Sequence, residues 1–155
     1  SLVRKICFDR LKLKIDTHVP DLGHTIGEEL IRPTRIYSET IQYMIRGLPI
    51  RGLAHITGGG LPENLPRILP TGCKAVIERN SWQLPAVFRW LQQQGNVTDA
   101  EMLRTFNCGV GMVVCVAPKD AARTLEFLHA EGEVSWLLGR IEASTDPQPH
   151  IEIHS

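Results

Sequence analysis

The sequence predicts a mixed sheet with helices packed on it, in the α+β or α/β class, and three observations carry that expectation. From Gly52 onward, strand-like and helix-like segments alternate. Residues 110–117 form an almost continuous apolar run, the pattern of a central strand covered on both faces. Tyr37, Ile41, Met44, Ile45 and Leu48 recur at helical spacing.

The elements follow in order. Ser1-Leu2-Val3-Arg4-Lys5-Ile6 opens with a cap in place, so residues 2–8 are expected as a helix. Such a start is expected of a fragment whose preceding residues are missing. A short helix at 26–31 comes next, and Thr34 is a fitting N-cap for the Tyr37 to Leu48 stripe, which Gly47 and Pro49 stop. Strands are expected at 52–56, 74–78, 110–117 and 134–141, with a weaker edge strand at 151–153. Between them lie short helices at 63–69 and 99–104. Val87, Trp90 and Leu91 make another helical stripe, begun by Ser81 and Pro85 and ended by Gly95. Ala121, Leu125 and Leu128 make the next, entered through Pro118-Lys119-Asp120 and ended by Gly132. The polar, Pro-rich stretch 144–149 reads as a surface loop.

At 155 residues, 1–155 is expected as a single domain. Seventeen Lys plus Arg balance seventeen Asp plus Glu, for a net charge of zero. That balance speaks against a nucleic-acid partner and against a polybasic membrane anchor. With 43% hydrophobic and 22% charged residues, disorder is not expected. No apolar stretch approaches the roughly 18 residues of a membrane span, so a soluble domain with no membrane partner is expected. Cys7, Cys73, Cys108 and Cys115 contain no Cys-x-x-Cys pair and no zinc-type spacing to His, so no metal site is expected and a reducing cytoplasm suits them. Cys115 reads as a buried apolar residue. Cys108, between Asn107 and Gly109, is either a packed thiol beside a tight turn or a reactive one.

Chemistry is suggested at three stretches. In Ala54-His55-Ile56-Thr57-Gly58-Gly59-Gly60-Leu61-Pro62-Glu63-Asn64 a strand runs into three glycines, and a helix is expected to start at Pro62. The glycines make either a plain tight turn or a loop whose free N–H groups hold a phosphate or carboxylate. The pattern is neither a P-loop nor a dinucleotide fingerprint. In Arg104-Thr105-Phe106-Asn107-Cys108-Gly109-Val110-Gly111-Met112, Asn107 offers two donors and an acceptor, and Arg104 suits a phosphate. Gly109 and Gly111 suit a bulge or a close backbone approach; the alternative is a loop that merely begins a core strand. In Arg32-Pro33-Thr34-Arg35-Ile36-Tyr37, Arg35 near a helix start opposes the dipole unless an anion is present, although a solvated arginine is the plainer reading. His55 reads as a core residue or one behind a site. His18, His24 and His129 read as surface or loop positions, and His150 and His154 lack a carboxylate or thiol to complete a metal set.

Taken together and in this order, Pro33-Thr34-Arg35-Ile36-Tyr37, His55-Ile56-Thr57-Gly58-Gly59-Gly60 with Glu63-Asn64-Leu65-Pro66-Arg67, and Arg104 through Met112 closely resemble the C-terminal domain of aminoimidazole ribonucleotide (AIR) synthetases. These are the phosphoribosylformylglycinamidine cyclo-ligases of purine biosynthesis. Ser81-Trp82-Gln83, Trp90-Leu91-Gln92 and the opening Ser1-Leu2-Val3-Arg4 fit the same pattern.

The resemblance implies an α+β fold with a three-layer α/β/α arrangement and a mixed sheet. It implies the C-terminal half of a two-domain, cytoplasmic ligase that uses ATP and Mg2+, neither held firmly by this domain alone. ATP would phosphorylate the formyl oxygen of formylglycinamidine ribonucleotide, the amidine nitrogen would attack the activated carbon, and phosphate would leave as the imidazole closes. The N-terminal ATP-binding and dimerisation domain is absent from this chain, and the full-length protein is expected as a homodimer. Thr57, Gly58, Gly59, Gly60, Asn64, Arg35, Arg104, Asn107 and Gly109 are the expected substrate or phosphate contacts, with the catalytic groups mainly in the missing domain. The alternatives are a related ATP-using enzyme, such as a selenophosphate synthetase, hydrogenase-maturation protein or the preceding amidotransferase, or a non-catalytic phosphate-ligand module. Three further expectations follow. The isolated chain makes no product; apolar surface lies exposed near the glycine loop and first helix; Gly59→Val in the full enzyme weakens substrate use without unsettling the fold.

Overall fold

The computed structural model describes residues 1–154. The chain opens with α1 (Leu2–Arg4), which widens into a π-helical turn over Lys5–Arg10 and buries Ile6 and Cys7. A small hairpin follows, β1 (His18–Val19) with β2 (His24–Thr25), and leads into α2 (Ile26–Leu30). Thr25 and Glu28 close a capping box at that junction. Donation from the Thr25 N–H and hydroxyl holds the Glu28 carboxyl below its ordinary range. Next come α3 (Ser38–Gly47), β3 (Gly52–His55), α4 (Gly60–Asn64), β4 (Cys73–Glu78), α5 (Ala86–Gly95) and α6 (Asp99–Thr105). The chain ends with β5 (Met112–Cys115), α7 (Ala121–Ala130), β6 (Gly139–Ala143) and β7 (His150–His154).

Helices with a mixed sheet make this an α+β domain. Every helix expected from periodicity is present to within a few residues. The strands pair differently from the expected single mixed sheet, because their hydrogen bonds divide them among three sheets. β3 and β5 pair antiparallel from Gly52–Cys115 to His55–Met112. β4 lies between β6, antiparallel, and β7, parallel. The central strand covered on both faces is therefore β4, where Ala75, Val76 and Ile77 are all buried, and not the 110–117 run. β5 keeps only Met112–Cys115 of that run, all half-buried. An apolar run reports burial but not the number of neighbours, which is why periodicity alone picked the wrong strand.

The expected strand at 134–141 is also shifted. Pairing with β4 begins at Gly139, and the Glu78 N–H to Leu138 carbonyl bond is the last contact before it. Residues 134–137 lie outside every ladder, with Val134 90% exposed. Exposed apolar side chains include Val134 and Leu137 here and Ile15, Ile31 and Ile36 elsewhere; none belongs to the 57–60 loop or the first helix themselves, although Ile36 adjoins Tyr37 beside the loop. The main core runs from Ile6 and Cys7 through Ile26, Ile56, Leu61 and Leu65 to Ile77, Leu91, Met102 and Val110. It thus sits directly beneath the 57–60 loop and the 106–109 turn, and holds both in place. Among the described residues, no helix is long and apolar enough to cross a membrane.

Two glycines give opposite expectations for one substitution. A side chain at Gly139 would collide with the Val76 carbonyl, which is fixed in the β4 ladder. Gly47, the last residue of α3, opens to empty space. Gly139→Ala should lower stability by about 2 kcal/mol, whereas Gly47→Ala should raise it by roughly 0.5 kcal/mol. Urea unfolding of both variants checks the signs.

Candidate functional site

The glycine loop is built from below. After β3, the Ile56 N–H donates to the Gly111 carbonyl (2.9 Å), extending the pairing with the 110–112 segment by one step. The Gly60 N–H then donates back to the Thr57 carbonyl (3.0 Å) and closes the turn. Gly59 and Gly60 take φ of +91° and +57°, a left-handed region where a β-carbon is costly. α4 begins at Gly60, two residues before the expected start, so Pro62 falls inside its first turn. Asn64, only 6% exposed, ties the loop from behind: its Nδ2 donates to the carbonyls of Gly60 (2.8 Å) and Gly58 (3.2 Å). Thr57 and Gly58 face solvent, and a side chain at Gly58 would meet nothing. The structure shows no acceptor for the N–H groups of Gly58 and Gly59 among the described residues.

The second stretch leaves α6, whose N-cap Thr98 accepts from the Glu101 N–H. Cys108 and Gly109 both take positive φ, 52° and 95°, making a sharp turn closed by Asn107, whose Oδ1 accepts from the Gly109 N–H (3.0 Å). Cys108 is fully buried. Its thiol donates to the Met102 carbonyl (3.3 Å), and its own carbonyl accepts from the Trp82 indole N–H (3.0 Å). Burial pushes the thiol up to about 11, and together with its zero exposure and its bond to Met102 this favours the packed reading over the reactive one. A β-carbon at Gly60 would strike the carbonyls of Leu103 and Phe106, so the glycine loop rests directly on this turn.

The third stretch arrives through Tyr37. Its phenol occupies the space a side chain at Gly111 would need, and its ring stands edge-on to His55 with centroids 5.9 Å apart. Gly111 is therefore a close approach by a side chain and not by a backbone. His55 is exposed, contrary to its reading as a core residue. Burial, reinforced by the Glu133 carboxylate, raises the Tyr37 hydroxyl above its ordinary range. Tyr37, not Thr34, occupies the N-cap position of α3, without a side-chain capping bond. Residues 32–37 stay outside the helix, where Tyr37 is held on Gly111 and Arg35 is drawn to Glu133 (2.9 Å).

The structure thus packs Thr57, Gly58, Gly59, Gly60 and Asn64 onto the end of α6 and Phe106, with Tyr37 and Gly111 on one side, while Gly109 packs against Pro85 and Trp82. It does not bring Arg35 or Arg104 to the loop as free cations. Arg35 is paired with Glu133, and Arg104, largely exposed, with Glu101 (2.9 Å). Arg67, quoted only as part of a motif, reaches the loop instead: its Nη1 donates to Asn64 Oδ1 (3.4 Å). Among the described residues no group of three or more His, Cys, Asp and Glu is placed to hold a metal. Sequence reasoning also missed a groove beyond Gly109, walled by Trp82 and Trp136. The signal was present, since two of the three tryptophans follow a serine, at Ser81-Trp82 and Ser135-Trp136.

Comparison with known proteins agrees with the motif resemblance. Residues 6–152 match the family model described as "AIR synthase related protein, C-terminal domain". The phosphoribosylformylglycinamidine cyclo-ligase of Geotalea uraniireducens (strain Rf4) is 50% identical over 141 residues, covering 91% of this chain and 40% of that protein. The protein of the same name from Desulfatibacillum aliphaticivorans is 43% identical over 152 residues, covering 98% and 44%. That from Coxiella burnetii (strain RSA 493 / Nine Mile phase I) is 47% identical over 153 residues, covering 99% and 43%. The chain spans about two-fifths of the length of these curated relatives.

The turn makes a chemical prediction. With its thiol pushed up to about 11, only roughly one Cys108 in a thousand is thiolate near pH 8. Iodoacetamide on the native chain should label half-buried Cys73 first and reach Cys108 only on unfolding. Peptide mass mapping over time decides, and labelling of native Cys108 at the pace of a free thiol would contradict the packed turn.

Proposed function

The chain belongs to the AIR synthase related protein family, as its C-terminal domain, and from that premise we propose that it supplies one wall of the active site of an ATP-dependent cyclo-ligase. The reaction is closure of the imidazole ring of aminoimidazole ribonucleotide from formylglycinamidine ribonucleotide. The observation that carries this reading is the convergence of three motif stretches, far apart in sequence, on one surface around Gly60 and Gly111. The two-domain, homodimeric, cytoplasmic protein and the three-layer packing belong to the same proposal, with the chain as its C-terminal half. So does the assignment of ATP and Mg2+ mainly to the other domain, where they supply the phosphoryl group that activates the formyl oxygen.

In this reading the chain's own part is binding and exclusion of water. The free N–H groups of Gly58 and Gly59 face an anionic group of the ribotide; Gly58 has no neighbour in the way, whereas the Glu63 side chain lies against Gly59 and would have to swing aside for an anion. Asn64 fixes the loop so that those donors need no reorganisation when charge arrives. Asn107 spends its carbonyl oxygen on the Gly109 N–H, which leaves its amide N–H groups to donate outward. Tyr37 and the buried turn close the side of the cleft against water, which competes for an activated carbon. Arg35 and Arg104 would serve only if a ligand displaced Glu133 and Glu101.

The test is a chimera in which this chain replaces the matching 141 residues of the Geotalea relative. It should release ADP in a manner dependent on formylglycinamidine ribonucleotide, while the chain alone should release none. A folded but inert chimera, or turnover by the chain alone, would contradict the reading. Gly59 is the wrong probe of the loop, because its φ of +91° strains any side chain whatever the ligand does. Gly58→Val carries no such handicap. In the chimera it should cut kcat/KM roughly tenfold or more with the melting midpoint nearly unchanged.

A further inference from the structure

The polar side chains around the glycine loop are mostly committed inward. Asn64 bonds two loop carbonyls, Asn107 bonds Gly109, and Arg67 reaches Asn64. Arg35 and Arg104 are paired with Glu133 and Glu101. The Tyr37 hydroxyl is different. Tyr43, the other of the chain's two tyrosines, donates its hydroxyl to Glu39 (3.4 Å), whereas that of Tyr37 bonds to nothing among the described residues. Nor is it sealed off. The polar side-chain atoms buried without a partner are Ser81 Oγ, Ser135 Oγ and Trp136 Nε1, so half-buried Tyr37 keeps its hydroxyl within reach of solvent.

Its position is fixed from several sides. Gly111 leaves empty the space where the hydroxyl lies, and the Gly111 carbonyl accepts from the Ile56 N–H (2.9 Å), one residue before the loop begins at Thr57. The ring stands edge-on to His55, the last residue of β3, and the Tyr37 carbonyl accepts from the Ile41 N–H in α3 (2.9 Å). Glu133 holds the chain on both sides of Tyr37: it pairs with Arg35 and accepts from the Thr40 hydroxyl (2.9 Å). A wedge in the Gly111 gap needs only the ring. Phenylalanine would supply it without leaving a half-buried hydroxyl unpaired, so packing does not account for the oxygen. Burial, with Glu133 adding to it, raises this hydroxyl above its ordinary range, so at neutral pH it carries a proton to donate.

We propose that Tyr37 is a ligand-contacting residue of this site, its hydroxyl donating to an acceptor oxygen of the ribotide bound at the glycine loop. The identity of that ligand rests on the ring-closing reading. The placement of the donor does not, since it follows from Gly111, His55 and Glu133 alone. Tyr37 thus does more than shut out water: it supplies a directed side-chain donor where the loop itself offers only backbone N–H groups.

With only two tyrosines, the chain offers a direct readout. The purified chain, isotope-labelled in its tyrosine rings, is titrated with formylglycinamidine ribonucleotide and followed by NMR. The Tyr37 signal should move saturably while that of Tyr43 stays in place. Tyr37→Phe should weaken binding, read at the Gly58 amide, roughly five- to tenfold with the melting midpoint unchanged. Tyr43→Phe should leave the affinity as it is. A parallel titration with ribose 5-phosphate locates the acceptor: a Tyr37 shift with both ligands places it on the phosphoribosyl part, and a shift with the ribotide alone places it at the formyl end. A Tyr37 signal that does not move overturns the proposal. So does a Tyr37→Phe chain that binds as tightly as its parent, or one whose loss of affinity is matched by a fall in melting midpoint. ADP release by the chimera is measured apart from all of these: a chimera that turns over beside an unmoved Tyr37 leaves the ring-closing reading standing without this contact.

Discussion

The architecture of the candidate site depends on one close contact, the seating of Gly60 on the carbonyls of Leu103 and Phe106. No other residue fits there, because a β-carbon would overlap fixed backbone and the φ of +57° is itself in the left-handed region. That contact joins the end of β3 and the start of α4 to the end of α6, segments some 45 residues apart in sequence. Once it is made, Asn64 can reach back to two loop carbonyls, and the Ile56 N–H meets the Gly111 carbonyl. Gly111 then leaves room for the Tyr37 phenol. Each glycine in the chain of contacts allows the next element to approach. The way the motifs seat on one another is thus a consequence of where side chains are missing.

How much of this was legible depends on whether the signal was local. Helices announced themselves through apolar spacing and through caps such as Thr25 and Thr98, because both are properties of neighbouring residues. The loop at 57–60, with Asn64 behind it, was legible for the same reason. Pairing was not. Val76 carries no mark in the sequence showing that β4 would receive partners on both edges, whereas the longer run at 110–117 looks central and pairs only with β3. Thr34 was a reasonable cap by residue type, and it lost to the attachment of Tyr37 at Gly111 and of Arg35 at Glu133, both non-local. The stacked tryptophans lie 54 positions apart and left only a repeated Ser-Trp pair as a trace.

The electrostatics then decide how such a surface can hold an anion. The chain has no net charge, and most of its well-placed cations are already committed. Arg35 goes to Glu133, Arg79 to Asp99, Arg104 to Glu101 and Lys74 to Glu152. Several of these pairs are exposed and contribute little to stability, yet they still neutralise the local field that would attract phosphate. An anion at the glycine loop would therefore be held by oriented backbone N–H groups, with Arg67 the arginine nearest to the loop's Asn64. Backbone donors suit a wall that must be complementary to a ligand without drawing in every other anion, since their field falls off quickly with distance. A domain with this charge pattern supplies shape and directed hydrogen bonds. In the proposed cyclo-ligase, the strong positive charge needed to move a phosphoryl group would come from the other domain, and the pairing of Arg35 and Arg104 with carboxylates agrees with that proposal.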